Sequence, residues 1–455
     1  MEYLKIVYVR GRQVLDSRGN PAVEAAVTVR NCIDGELTEG RAIVPAGSGI
    51  GGREAAEIRD GGDAFMETDV KTAARNIEKY LQEPLAGTEV TDQRRIDHIL
   101  RETGGRENKE GNLSGSGANA LLAVSLASAD AAAKALHVPL YRYLGGVQGQ
   151  KMPVPMMTVI DGGAHADNSL DVQEFMIVPV GADSMAQGIE WCCEIYRTLK
   201  KILFNRGLAT SVGDEGGFAP NLSTEIEAVN FMMEAIHASG FEPGRDVCIS
   251  LDVAAGTWQE RGAAGNREGK EDGAPWKERG NGDYCMPKQK RCYSSRELIQ
   301  EWEDLVERYP VFSLEDPLGA QDWEGWLELT QRLGDRTLLV GDDLFADAHL
   351  ADAPGENARE RLQRGIQEGC GNAILIQPGK IGTLSEIMEL AQLAKEHGYR
   401  AIISHRRGES EDSFIADLAV ALNTGLIKTG APSRGERTAK YNQLLRIEEE
   451  LYGQV

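Results

Sequence analysis

The chain has 455 residues, with 49 Lys and Arg against 71 Asp and Glu, and a formal charge of −22. That length holds about three average domains, or one small domain and a large barrel, and 41% apolar with 26% charged residues suits a folded globular protein. So acidic a chain argues against nucleic acid or an anionic membrane as the main partner, because both need a basic footprint; a small anionic substrate held in a local basic pocket or beside a bound cation remains compatible.

Residues 1–12 contain no apolar core of signal-peptide length. Strands are predicted over 21–30 (PAVEAAVTVR) and 41–45 (RAIVP). Helical segments follow and end in the Ala-rich stretch 119–136, which carries Asp130 and Lys134 and reads as a buried helix rather than a membrane span. Gly145 and Gly146, then Pro153 and Pro155, mark a boundary near residue 140. The expected organisation is α/β: an N-terminal α+β domain over 1–140 and a barrel domain over 141–455. Seven cysteines show no zinc-type spacing. Their odd count, without a secretory signal, leads to the expectation of reduced thiols in a cytoplasmic protein.

After the boundary, short apolar runs end in polar residues and alternate with helix-like segments. The runs are 247–252 (VCISLD), 311–315 (VFSLE), 338–342 (LLVGD), 373–377 (AILIQ), 401–405 (AIISH) and 426–428 (LIK). From residue 315 onward their ends are spaced 23 to 35 residues apart, the size of one strand–helix unit. Continuous apolar runs suit strands covered on both faces. A (β/α)₈ barrel places catalytic groups at the C-terminal strand ends, which accounts for so many polar endings better than an open doubly wound sheet does. A Gly- and charge-rich segment at about 259–282 reads as an insertion, a mobile surface loop.

Asp252, Glu315 and Asp342 close three of these runs. Three carboxylates at one barrel mouth repel one another without a cation, and an oxygen-only set suits Mg²⁺ better than zinc. His405, Arg406, Arg407 and Lys428 close the last two runs and form a basic cluster for a phosphate or carboxylate; ordinary interdomain salt bridges are the plainer alternative. Glu215 lies in the Gly-rich stretch VGDEGGFAPN, where a carboxyl group with a raised pKa can serve as a general acid. His165 and Glu174 flank DGGAHADNSLDVQEF.

Taken together, these segments resemble the enolase family nearly end to end. DSRGNP (16–21), GGAHA (162–166), QEFM (173–176), GDEGG (213–217), SLEDP (313–317), the Asp pair 342–343, IGTLSE (381–386), IKTGAP (427–432) and NQLLRIEEEL (442–451) follow in the family order. The resemblance implies an N-terminal capping domain on a modified (β/α)₈ barrel, and a homodimer or an assembly of dimers. It also implies Mg²⁺ and the dehydration of 2-phosphoglycerate to phosphoenolpyruvate. By the same resemblance, Asp252, Glu315 and Asp342 match the tight metal site, and Glu215 matches the acid, with Glu174 and His165 beside it. Gln173, Arg406 and Lys428 match substrate-binding positions, and His405, Arg407 and Gln377 stand at neighbouring ones.

Three positions depart from the family. Gln377 stands where the family has the Lys that removes the C2 proton, and an amide has no useful basicity. Gly49 stands where a Ser ligates the second Mg²⁺, with Ser48 one residue earlier, so a weakened second metal site is expected. Arg407 replaces a Ser that contacts phosphate, which adds a permanent charge. Lys380, three residues after Gln377, can replace the missing amine if its loop folds inward; spacing alone slightly favours a solvated loop residue. The alternatives are a different reaction on a related anion, for which carboxyphosphonoenolpyruvate synthase is a precedent within the fold, and a non-catalytic enolase-fold binding protein.

Overall fold

The computed structural model describes residues 3–47, 57–104, 117–259, 283–346 and 356–453. The expectations placed on Ser48, Gly49 and the 259–282 insertion, apart from Gln259, lie outside the described residues.

The chain opens with an antiparallel sheet of β1 (Leu4–Leu15), β2 (Pro21–Asn31) and β3 (Leu37–Val44). The sequence had suggested the last two. β2 is central, and its Val- and Ala-rich run is buried on both faces. The helix Ala118–Ala135 lies against this sheet and is almost wholly buried. Its alanines allow unusually close approach: a Cβ at Gly40 of β3 would fall 2.1 Å from the Ala131 nitrogen. A bulkier residue in either element would push helix and sheet apart. No single helix among the described residues is long and apolar enough to cross a membrane.

The rest of the chain forms a closed eight-stranded barrel. Its strands are β4 (Val154–Asp161), β5 (Glu174–Val178), β6 (Cys248–Asp252), β9 (Val311–Glu315), β10 (Leu338–Gly341), β11 (Ala373–Ile376), β12 (Arg400–Ser404) and β13 (Leu426–Lys428). β5 runs antiparallel to both β4 and β6; the remaining pairs are parallel. β4 and β5 were not anticipated, and the barrel therefore departs from strict strand–helix alternation at its start. Between β6 and β9 sits a hairpin of β7 (Asp283–Met286) and β8 (Arg291–Ser294). It contains a Cys285–Cys292 disulfide, which corrects the expectation that all the thiols are reduced.

Strand alternation explains how the site arises. Met176, Val340, Leu375 and Ile402 pack with Met156, Val178, Ala373 and Leu426 in an apolar cluster inside the barrel. Side chains two positions apart share a face. Two residues on from Val340, Leu375 and Leu426 come Asp342, Gln377 and Lys428. On antiparallel β5 the order is reversed, so Glu174 comes two residues before Met176. One parity thus builds an apolar floor and a polar mouth.

Candidate active site

Lys428 is at the centre of the mouth. Its Nζ lies 2.8 Å from Asp252 Oδ2, 2.9 Å from Glu315 Oε1 and 3.1 Å from Glu174 Oε1. It is 2% exposed, and these carboxylates hold its pKa well above the ordinary lysine value against the opposing effect of burial. Burial, then the neighbouring Asp252, raises Glu315 well above the usual carboxylate range. Thr158 donates to the other Glu174 oxygen at 2.7 Å, and Gln173 donates to Asp252 at 3.4 Å.

A second lysine completes the other side. The short helix Pro378–Ile381 starts directly after Gln377, with Pro at its first turn, where a missing N–H costs nothing. The Lys380 amide bonds back to the Gln377 carbonyl at 2.9 Å, and both side chains turn to Asp342. Lys380 Nζ is 2.8 Å from Asp342 Oδ2 and 3.4 Å from Asp343 Oδ1, and Gln377 Nε2 donates to the same Asp342 oxygen at 3.4 Å. With a side chain 12% exposed, Lys380 is not a solvated loop residue. Burial pulls its pKa down, but Asp342 and Asp343 outweigh this and raise it, so the amine stands charged. Asp316, with a left-handed φ of 41°, accepts from the Asp342 and Asp343 amides at 3.1 and 2.8 Å and sets the end of β10.

Glu215 occupies a different environment. Burial raises its pKa well above the ordinary value, with Glu174 and Asp161 adding to the shift and Arg437 opposing it. His405 Nε2 lies 3.2 Å from Glu215 Oε2 and Arg437 Nη2 3.1 Å from it, but neither contact has hydrogen-bond alignment. His165 Nδ1 is 3.5 Å from Glu215 and 3.7 Å from Glu174. Arg437, fully buried, donates to His405 Nδ1 at 2.7 Å, which places the His405 proton on Nε2, facing Glu215. Burial together with nearby cations lowers both histidines, His165 to about 3. Both are neutral at ordinary pH. The GDEGG loop needs its glycines here: a Cβ at Gly213 or Gly217 would fall 2.4 or 2.7 Å from the Asp161 carboxylate, which accepts from the Glu215 amide at 3.0 Å.

The expected basic cluster is dispersed. Arg406 reaches Glu57 at 2.9 Å and the Pro45 carbonyl at 3.2 Å, an interdomain contact. Arg407 donates to Asp214 at 2.6 Å and to the Ala164 carbonyl. His405 faces Glu215, and only Lys428 faces the carboxylates of β5, β6 and β9.

Two family models account for nearly the whole chain: Enolase, N-terminal domain, over residues 6–144, and Enolase, C-terminal TIM barrel domain, over 149–455. The chain belongs to the enolase family.

For an enolase-family chain the donor set fits a magnesium ion. Asp252, Glu315 and Asp342 are oxygen donors at the ends of neighbouring strands, β6 with β9 and β9 with β10. Here their charge is shared between two ammonium groups, Lys428 and Lys380. Among the described residues, the ligand atoms that converge within 4.8 Å of one another belong to Asp316, Asp342 and Asp343, and to His165, Glu174 and Glu215; Asp252, Glu315 and Asp342 together do not form such a group. Sequence reasoning missed Asp161, Asp316 and Arg437. Asp161 and Asp316 lie inside quoted motifs beside better-known residues. Arg437 lies just before NQLLRIEEEL, and nothing in its local pattern signals that the helix Gly435–Tyr452 delivers it to the barrel mouth.

Proposed function

We propose that this chain is a Mg²⁺-dependent hydro-lyase for a small phosphorylated carboxylate, with 2-phosphoglycerate to phosphoenolpyruvate as its reaction, and with Lys380 in place of the amine absent at Gln377. The observation that carries this reading is the burial of the Lys380 ammonium in the site, bonded to Asp342 beside Gln377. Asp252, Glu315 and Asp342 would hold the metal, whose charge stabilises the dianion that forms when the C2 proton leaves.

The remaining chemistry belongs to the side chains. Lys428 supplies a fixed positive charge for the substrate carboxylate. Lys380 accepts the C2 proton once it is neutral. Asp342 and Asp343 keep it charged; engaging Asp342 elsewhere removes the nearest of these charges, which moves the amine toward its free form, with burial favouring that form and Asp343 and Asp316 opposing it. Glu215, buried and protonated, gives its proton to the hydroxyl leaving C3, so that water departs as the C2–C3 double bond forms. His405 and His165, both neutral, flank this acid without adding charge.

A second reading, a different reaction on a related anion, is favoured by one feature: without a cation on Asp342, Lys380 is an ammonium and Gln377 a hydrogen-bond donor, so the base position holds two donors. Lys380→Met and Gln377→Lys variants separate the two, with phosphoenolpyruvate formation followed by absorbance. The proposal expects turnover in the wild type and a fall of about 10²–10⁴-fold in Lys380→Met. Turnover absent from the wild type and appearing only in Gln377→Lys would support the second reading.

A further inference from the structure

The hairpin of β7 and β8 plays no part in the chemistry above, yet it grips the loop that carries His165. In its turn, the Lys288 and Gln289 amides donate to the two oxygens of the buried Asp171 carboxylate, each at 2.9 Å. The Gln289 side chain donates to Glu225 Oε1 at 2.8 Å, the oxygen that also accepts the Asp171 amide at 2.9 Å. Lys288 Nζ then reaches past Asp171 to the Gly163 carbonyl at 2.7 Å, the Ala166 carbonyl at 3.0 Å and Asn168 Oδ1 at 3.4 Å. One ammonium therefore gathers three acceptors on both sides of His165. Cys285 and Cys292 pair across the strands directly below this turn, and their disulfide closes it. The base of the ribbon is anchored by the buried Tyr284, which donates to Asp322 at 2.7 Å and accepts from the Gly319 amide at 2.9 Å, so the disulfide is the tie nearest the turn.

We propose that the Cys285–Cys292 disulfide is a redox-controlled brace that positions His165 through Lys288. Cys292 is exposed and Cys285 half-buried, so a dithiol reductant attacks the Cys292 sulfur. The sulfur–sulfur bond breaks and Cys285 leaves as a thiolate. The reductant's second thiol then resolves the mixed disulfide, giving two protein thiols and one oxidised dithiol in a two-electron exchange. The opened hairpin no longer holds its turn on Asp171, and the 163–168 loop loses the Lys288 contacts. Lys288 is a positioning residue: it touches the loop, and His165 touches Glu174 and Glu215.

The activity part of the test rests on the proposed reaction; the loop ordering does not. Amide hydrogen exchange over 162–172 is compared in oxidised and dithiothreitol-reduced full-length protein, alongside kcat and KM for 2-phosphoglycerate. Reduction should speed exchange there by about tenfold or more. It should lower kcat by roughly tenfold with little change in KM, and reoxidation should restore both. A Cys285→Ser/Cys292→Ser variant should stay in the reduced state's behaviour whatever the reductant. Lys288→Met should loosen the same segment with the disulfide intact, and Lys288→Arg should recover part of the order. Unchanged exchange on reduction, or in Lys288→Met, overturns the brace. Redox-dependent exchange in a protein without turnover keeps the brace and removes the proposed reaction instead.

Discussion

Replacing Lys428 by Met removes the one cation shared by three buried carboxylates. Its Nζ is 2.8–3.1 Å from Asp252, Glu315 and Glu174 and is 2% exposed. Each such pair is worth about 5–6 kcal/mol of gross Coulomb attraction at an effective dielectric near 20, most of it offset by burying the charges. Breaking a buried pair from one side costs about 3–5 kcal/mol, because the remaining charges are left unpaired. For a chain of 455 residues the unfolding entropy is roughly 1 kcal/mol per degree, so the loss is about 4 °C in Tm. The assay is calorimetric unfolding at pH 8 with and without Mg²⁺. The deficit should shrink on adding Mg²⁺, since Asp252 and Glu315 then have a cation again. It should also shrink as pH falls, because Glu315, already raised by burial and by Asp252, takes up a proton. A Tm change under about 1 °C, or a deficit indifferent to both Mg²⁺ and pH, would refute this electrostatic account.

Two further expectations concern single carboxyls. Asp417 accepts from the Tyr141 amide and from Gln443, and burial lifts it to about 7 from an ordinary 3.8. Between those pH values the folded state holds a proton that the unfolded chain has released. Its contribution to stability is therefore full below pH 3.8 and is lost as pH rises toward 7, by up to about 4 kcal/mol. Asp417→Asn should flatten the fall in Tm over that window, and an unchanged slope would contradict the assignment. Glu215→Gln should cut phosphoenolpyruvate formation by about 10²–10⁴-fold while leaving exchange of the substrate C2 hydrogen with solvent. Equal loss of both would mean that Glu215 does not act at hydroxyl departure.

The barrel was legible where strands buried on both faces end in a polar residue. 426–428 reads directly as a strand because alternation carries the apolar floor into the polar mouth, whereas 247–252 and 311–315 are apolar runs with a polar ending, Ser250 and Ser313 standing two residues before Asp252 and Glu315. β4 was hidden by Pro153 and Pro155, which read as a boundary although strand pairing begins at Val154. β5 was hidden because its antiparallel course puts Glu174 at the start of the run instead of its end. Asp252, Glu315 and Asp342 could be chosen from sequence, but not the division of their charge between Lys428 and Lys380, which depends on side-chain reach across the barrel. The inward turn of Lys380 depends on one helical turn begun by Pro378, and spacing alone could not orient it. Arg407 was expected to offer a free charge; Asp214, 193 positions away, already engages it. The Cys285–Cys292 link was obscured by an odd total of cysteines and a compartment argument, whereas cross-strand register brings the pair together.

In the proposed reaction the C2 proton of 2-phosphoglycerate leaves through Lys380. The most direct measurement is deuterium incorporation at C2 when the wild-type protein is incubated with 2-phosphoglycerate and Mg²⁺ in D₂O, with Lys380→Ala alongside. The wild type should incorporate deuterium and Lys380→Ala should lose it. Absence of incorporation by the wild type, with incorporation gained in Gln377→Lys, would contradict the proposed reaction.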